Sequence, residues 1–158
     1  LHARIDNRVF LMPAVSVERN LTERSTFCHW TTVTLRYCDQ DPMGHINNCA
    51  FSEFIEASRT SYINGLVDQV NITGLEFVLA SITIDFIREL LHPGNVEVGA
   101  RVIRVGNKSF ETGYGIFSEG RSVATARCVS VFFDMSTRLG IAPPDRVRQL
   151  LETELATP

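Results

Sequence analysis

Asp39-Gln40-Asp41-Pro42-Met43-Gly44-His45-Ile46-Asn47-Asn48-Cys49 is the stretch on which the reading of this chain turns. Asp, Pro, Gly and Asn are residues of tight turns and helix caps, and an apolar helical pattern begins directly after them. A turn by itself requires neither a histidine nor two consecutive amides, because one asparagine suffices as an N-cap. The segment therefore reads as a functional connection, with a carboxylate beside the free N–H groups and partial positive charge of a helix N-terminus. That combination suits chemistry on a carbonyl. The helix end can hold the oxygen of a tetrahedral intermediate, while Asp41 attacks the carbon or activates water.

The flanks support this placement. Upstream, residues Thr26 to Tyr37 are β-branched and aromatic, with Trp30, Thr32, Thr34 and Arg36 alternating against Thr31, Val33, Leu35 and Tyr37, which predicts a strand. Downstream, Phe51, Phe54, Ile55, Ser58, Tyr62, Ile63 and Leu66 recur at helical spacing. A helix of about four to five turns is expected, followed by a polar connection from Asp68 to Gly74. Glu76 to Arg88, Asn95 to Val105, Lys108 to Phe117 and Arg121 to Met135 read as four strands. Turns at Pro93-Gly94, Gly106-Asn107 and Glu119-Gly120 separate them. Pro143-Pro144-Asp145 opens a last short helix through Glu154. Residues 1–25 lack a sustained period and are expected to be an N-terminal extension, partly ordered at best, ahead of one domain over 26–158. The element order predicts an α+β fold in which an antiparallel sheet wraps one long apolar helix.

Length and charge narrow the function. The 158 residues, 44% hydrophobic, suit one domain with a full core. A net charge of −3 provides no electrostatic footprint for nucleic acid. Cys28, Cys38, Cys49 and Cys128 have neither zinc-site spacing nor the density of a disulfide scaffold, so reduced thiols and no bound metal are expected. No apolar run approaches the roughly 20 residues of a membrane span, and the reading expects a cytoplasmic protein.

Strand, Asp-Pro-Met-Gly-His-Ile-Asn-Asn and helix together resemble the hotdog-fold acyl-CoA thioesterases of the 4-hydroxybenzoyl-CoA thioesterase type, over roughly Phe27 to Leu151. Arg36-Tyr37-Cys38-Asp39-Gln40-Asp41 is similar to the end of that family's first strand, and Phe54-Ile55-Glu56-Ala57-Ser58-Arg59 to its helix. His45-Ile46-Asn47-Asn48 resembles the His-Val-Asn-Asn element of fatty acyl thioesterases, which implies an aliphatic acyl group. The resemblance implies Asp41 as nucleophile or general base and the backbone N–H near Asn48 as oxyanion donor. It implies His45 and Asn47 as residues that shape the loop or contact substrate. Lys108 and Ser109 match the segment that meets the nucleotide end of coenzyme A, which is part of the substrate, so no cofactor is implied. A homodimer or homotetramer is expected, with sheets joined edge to edge.

Glu53, within the helix, is the alternative catalytic carboxylate, because another branch of hotdog thioesterases places its carboxylate there. Glu56 and Arg59, three apart, are expected to form an ion pair. Two other functions fit the same fold. Asp39-Gln40-Asp41-Pro42 with His45 approximates the Asp-x-Asn-Pro-x-His pattern of enoyl-CoA hydratases, although Asp41 stands in place of Asn and His45 comes one residue late. A non-catalytic acyl-CoA-binding protein would share fold and ligand, but the presence of Asp41 argues against it.

Overall fold

The computed structural model describes residues 15–70 and 75–157. Its strands are β1 (Val15–Ser16), β2 (His29–Thr34), β3 (Leu75–Phe86), β4 (Asn95–Val105), β5 (Ser109–Ser118), β6 (Arg121–Asp134) and β7 (Leu139–Gly140). Its helices are α1 (Asn48–Val70), between β2 and β3, and α2 (Asp145–Ala156). The sheet is antiparallel throughout: β4 pairs with β5, β5 with β6, and β6 with β3. On its other edge β4 carries β2, from His29↔Ala100 to Thr34↔Asn95, and then β1. The expected α+β hotdog architecture is present, with α1 laid on one face of the sheet.

The burial of α1 follows the sequence pattern. Phe51, Phe54, Ile55, Ser58, Tyr62, Ile63 and Leu66 are buried against inward residues of the sheet, among them Val98, Ala100, Val102, Tyr114 and Ile116. The helix is longer than expected, about six turns, because Val67 and Val70 also pack on the core and hold its last turn despite Gly65. Residues 71–74 of the expected connection lie outside the described residues. At the far end Tyr62 ties α2 to the sheet. Its hydroxyl donates to Glu154 Oε2 (2.9 Å) and accepts from the Val102 N–H (3.2 Å).

One feature departs from the sequence expectation. The strand predicted over Thr26 to Tyr37 shortens to His29–Thr34, because 3-10 turns at Arg24–Thr26 and Tyr37–Asp39 take up its ends. The described part of the expected extension, from Val15 onward, packs on the sheet. Leu21 and Phe27 form a small cluster with Ile103 and Phe117 on the sheet face away from α1, and Arg24 stacks over Trp30 at 4.2 Å. The fit depends on glycine: a Cβ on Gly115 would stand 2.6 Å from the Leu21 carbonyl oxygen, and one on Gly99 2.5 Å from the Phe27 ring. Residues 1–14 lie outside the described residues.

Candidate active site

Asp39 anchors the loop that leaves β2. Its buried carboxylate accepts the Arg36 backbone N–H (2.7 Å) and the Arg36 guanidinium (2.6 and 2.9 Å), closing the 3-10 turn. Hydrogen bonding from Arg36 holds the Asp39 carboxyl below the usual carboxylate range. The stabilisation from this lowered value is complete above the unfolded value near 3.8 and is lost as pH falls through the native one. Asp39→Asn should therefore lower the melting temperature at neutral pH, and the gap to the native protein should close as pH drops below that range. A gap that stays constant through the acid limb would contradict this account.

Asp41 follows in a tighter turn. The Gly44 N–H donates to the Asp41 carbonyl (3.0 Å), Gly44 takes φ +87°, and the Asp41 N–H donates to the His45 carbonyl (2.8 Å). The Asp41 side chain accepts the Met43 and His45 N–H groups at 2.8 and 3.1 Å, both on Oδ1. Chain reversal thus uses one carboxylate oxygen and leaves Oδ2 out of the turn. The Asn47 carboxamide caps α1 by accepting the Cys49 N–H (2.9 Å). Asn48 is the first helical residue, and among the described residues its N–H has no backbone acceptor.

The far wall comes from the end of β3. The Ile46 N–H donates to the Leu90 carbonyl (2.8 Å), and a bridge joins His45 to Leu91. This places the segment Phe86 to Leu90 opposite the loop, enclosing a cleft of 350 Å³ onto which Asp41, His45, Asn48 and Phe51 all open. The His45 ring lies 3.3 Å from Glu89 Oε2, and Phe86 meets Phe51 edge to face at 5.1 Å. Phe86, Ile87 and Glu89 carry no sequence signal, since they reach the site only through pairing some forty residues along the chain. A wider hollow of 720 Å³ adjoins the cleft, sharing Arg88, Glu89 and Leu90 and reaching Arg121.

Asp41, His45 and Asn48 are therefore gathered on one cleft, and Asn47 stands beside it as the exposed cap. Lys108 and Ser109 are not. They lie beyond the opposite end of β4, on the order of 30 Å away along the strand. There Lys108 Nζ donates to the Gly140 carbonyl (2.9 Å), and Ser109 is buried. Glu53 is exposed and paired with Arg36, which also holds Asp39. The Glu56–Arg59 pair forms as expected, at 2.7 Å, with Arg59 largely buried. Among the described residues no group of three or more His, Cys, Asp or Glu could hold a metal ion, and no helix is long and apolar enough to cross a membrane.

The model of the thioesterase-like superfamily matches residues 33–151. The chain belongs to that superfamily. This thioesterase-like chain is similar to a thioesterase from Thermus thermophilus whose crystal structure holds coenzyme A and zinc. The two are 26% identical over 84% of this chain and 98% of that one, with a TM-score of 0.72. It is also similar to a predicted thioesterase from Bacillus stearothermophilus, at 25% identity over 82% of this chain and 98% of that one, with a TM-score of 0.73. A DHNA-CoA thioesterase from Staphylococcus aureus shares the fold, at 19% identity over 79% of this chain and 89% of that one, with a TM-score of 0.70. No curated protein matches the chain.

Proposed function

We propose that this protein is an acyl-CoA thioesterase of the 4-hydroxybenzoyl-CoA thioesterase type, hydrolysing a fatty acyl-CoA to the free acid and CoA. The observation that carries the reading is the shared cleft of Asp41 and the start of α1. With the thioester carbonyl oxygen on the Asn48 N–H, negative charge developing on that oxygen meets the positive end of the helix. Asp41 then has two routes. Its carboxylate attacks the carbonyl carbon, CoA leaves as thiolate, and water hydrolyses the resulting anhydride. Alternatively, Asp41 takes a proton from a water molecule whose oxygen attacks the carbon directly. The coenzyme A in the Thermus relative supports a CoA thioester as substrate. Thiol release from acyl-CoAs of graded length tests the proposal, and an absence of release across the series would end it.

The placement of the His45 ring favours hydrolysis over hydration. An Asp/His acid-base pair needs the imidazole against the carboxylate, whereas His45 turns its ring to Glu89 and bonds to Asp41 through its backbone N–H and carbonyl. Enoyl-CoA should accordingly not be hydrated at a rate comparable to thiol release.

The reading also proposes a homodimer. β3 ends the sheet, and its free edge carries the half-exposed Val78, Leu79, Ile82 and Phe86, an aggregation hazard unless covered. Antiparallel pairing of two β3 edges reverses one copy relative to the other. Phe86 stands at the Asp41 end of β3, and Phe77 packs on Phe110, beside the Lys108 hairpin, at the other end. The hairpin of each copy would then approach the Asp41 cleft of its neighbour, which is how Lys108 and Ser109 could reach the nucleotide of CoA. Lys108→Ala should weaken competitive inhibition by CoA severalfold while changing kcat little. An unaltered inhibition constant would remove Lys108 from the site.

A further inference from the structure

Beneath α1, the inward face of β6 is a stripe of small residues, Ala124, Ala126, Cys128 and Ser130, all buried. The register sets each in a row with its neighbours on β5 and β3: Ile116, Ala124 and Phe86; Tyr114, Ala126 and Ile84; Thr112, Cys128 and Ile82; Phe110, Ser130 and Leu79. The first row adjoins the Asp41 cleft, since Phe86 lines it. The later rows hold an anomaly. The hydroxyls of Thr112, Tyr114 and Ser130 are each fully buried and lack a formed hydrogen bond among the described residues, Thr112 and Tyr114 being neighbours of one another. A buried polar group without a partner costs stability, so three on one face call for an explanation.

We propose that these hydroxyls form the distal end of the acyl site and that the acyl group carries a neutral oxygen, a hydroxyl or carbonyl, which pairs with them. The inference rests on the thioesterase reading. The small side chains of β6 make this the part of the packed α1–sheet interface where an acyl group would displace least. Its entrance is the Phe51–Phe86 contact, and rotation of either ring admits a chain from the cleft. From the Ala124 row to the Cys128 row is four residues, about 13 Å, so the oxygen lies well along the chain from the thioester. Arg59, the cation beside Tyr114 and Cys128, gives three hydrogen bonds to Glu56 through Nε and Nη2, and the Glu56 carboxylate offsets its charge. Burial pushes the Cys128 thiol up to about 12, so it is uncharged. A carboxylate here would compete with Glu56 for Arg59 and be repelled by Glu56, whereas a neutral oxygen would not.

The test measures binding to the full-length Asp41→Asn protein, which separates the subsite from turnover. Decanoyl-CoA, ω-hydroxydecanoyl-CoA and the matching ω-carboxyl thioester are titrated by calorimetry. The hydroxylated chain should bind at least about tenfold tighter than the plain one, because a site with unpaired buried donors and acceptors discriminates against a ligand that cannot pair them. The carboxylated chain should bind more weakly than the hydroxylated one. Thr112→Val with Tyr114→Phe, introduced into the same protein, should remove most of the preference for the hydroxylated chain without lowering the melting temperature, since it removes hydroxyls that have no formed bond. Ser130→Ala serves as an independent variant, expected to narrow the difference. Equal affinities before mutation, or a preference undiminished by the double substitution, would overturn the inference. Absence of thiol release by the native protein, with the binding preference intact, would overturn the thioesterase reading and leave the subsite standing.

Discussion

Asp41→Asn should slow thioester hydrolysis at least about a hundredfold, the usual scale for loss of a positioned base or nucleophile, with the melting temperature nearly unchanged. The structure separates the two effects. Met43 and His45 donate their N–H groups to Oδ1, and an asparagine carbonyl oxygen accepts both bonds, so the turn and the entry to α1 survive. The anionic oxygen needed for attack or for proton abstraction is lost. Glu53→Gln is the control, because that carboxylate is exposed and engaged by Arg36, and its replacement should leave thiol release within a few-fold of normal. Steady-state thiol release on folded protein decides the matter. Near-normal turnover by Asp41→Asn, or a collapse in Glu53→Gln alone, would move the chemistry onto the helix.

Dilution should abolish activity together with the assembled mass. Each cleft as proposed takes its nucleotide contacts from the neighbouring copy's hairpin, and the apolar edge of β3 holds the copies together. A monomer would retain Asp41 and Asn48 on one cleft but lose the groups that seat CoA, and it would expose Leu79 and Ile82 to water. Sedimentation velocity and thiol release measured across one dilution series should fall with the same midpoint, and Ile82→Asp should shift that midpoint to higher protein concentration. A fully active, monodisperse monomer would refute the shared site.

Local signals carried the elements a long way. The spacing of Phe51, Phe54, Ile55, Tyr62 and Ile63 marks α1 because a helix buries every third or fourth residue wherever it packs. The glycine and proline turns mark the strands of the sheet for equally local reasons. The ends were less legible. Tyr37 to Asp39 leaves the strand because the Asp39 carboxylate captures Arg36, a competition between side chain and sheet that alternation does not report. The last turn of α1 is held by Val67 and Val70 against partners brought in from elsewhere in the chain. Likewise, Val15 to Thr26 joins the domain only because Gly99 and Gly115, far along the sequence, leave room for Phe27 and Leu21.

The candidate site divides in the same way. Asp41, His45, Asn47 and Asn48 were readable from sequence alone because turn, cap and carboxylate fall within eight consecutive residues, where backbone geometry dictates what is adjacent. Which groups face them was decided by tertiary structure. Glu89 and Phe86 reach the cleft through the Ile46–Leu90 pairing, and Lys108 is carried to the opposite end of β4 by the length of the strand itself. The sequence determined what chemistry the loop can offer, because that depends on neighbours in the chain. Only the folded sheet decided the walls of the cleft and the unpaired hydroxyls beneath α1, because strand register joins residues that no local pattern connects.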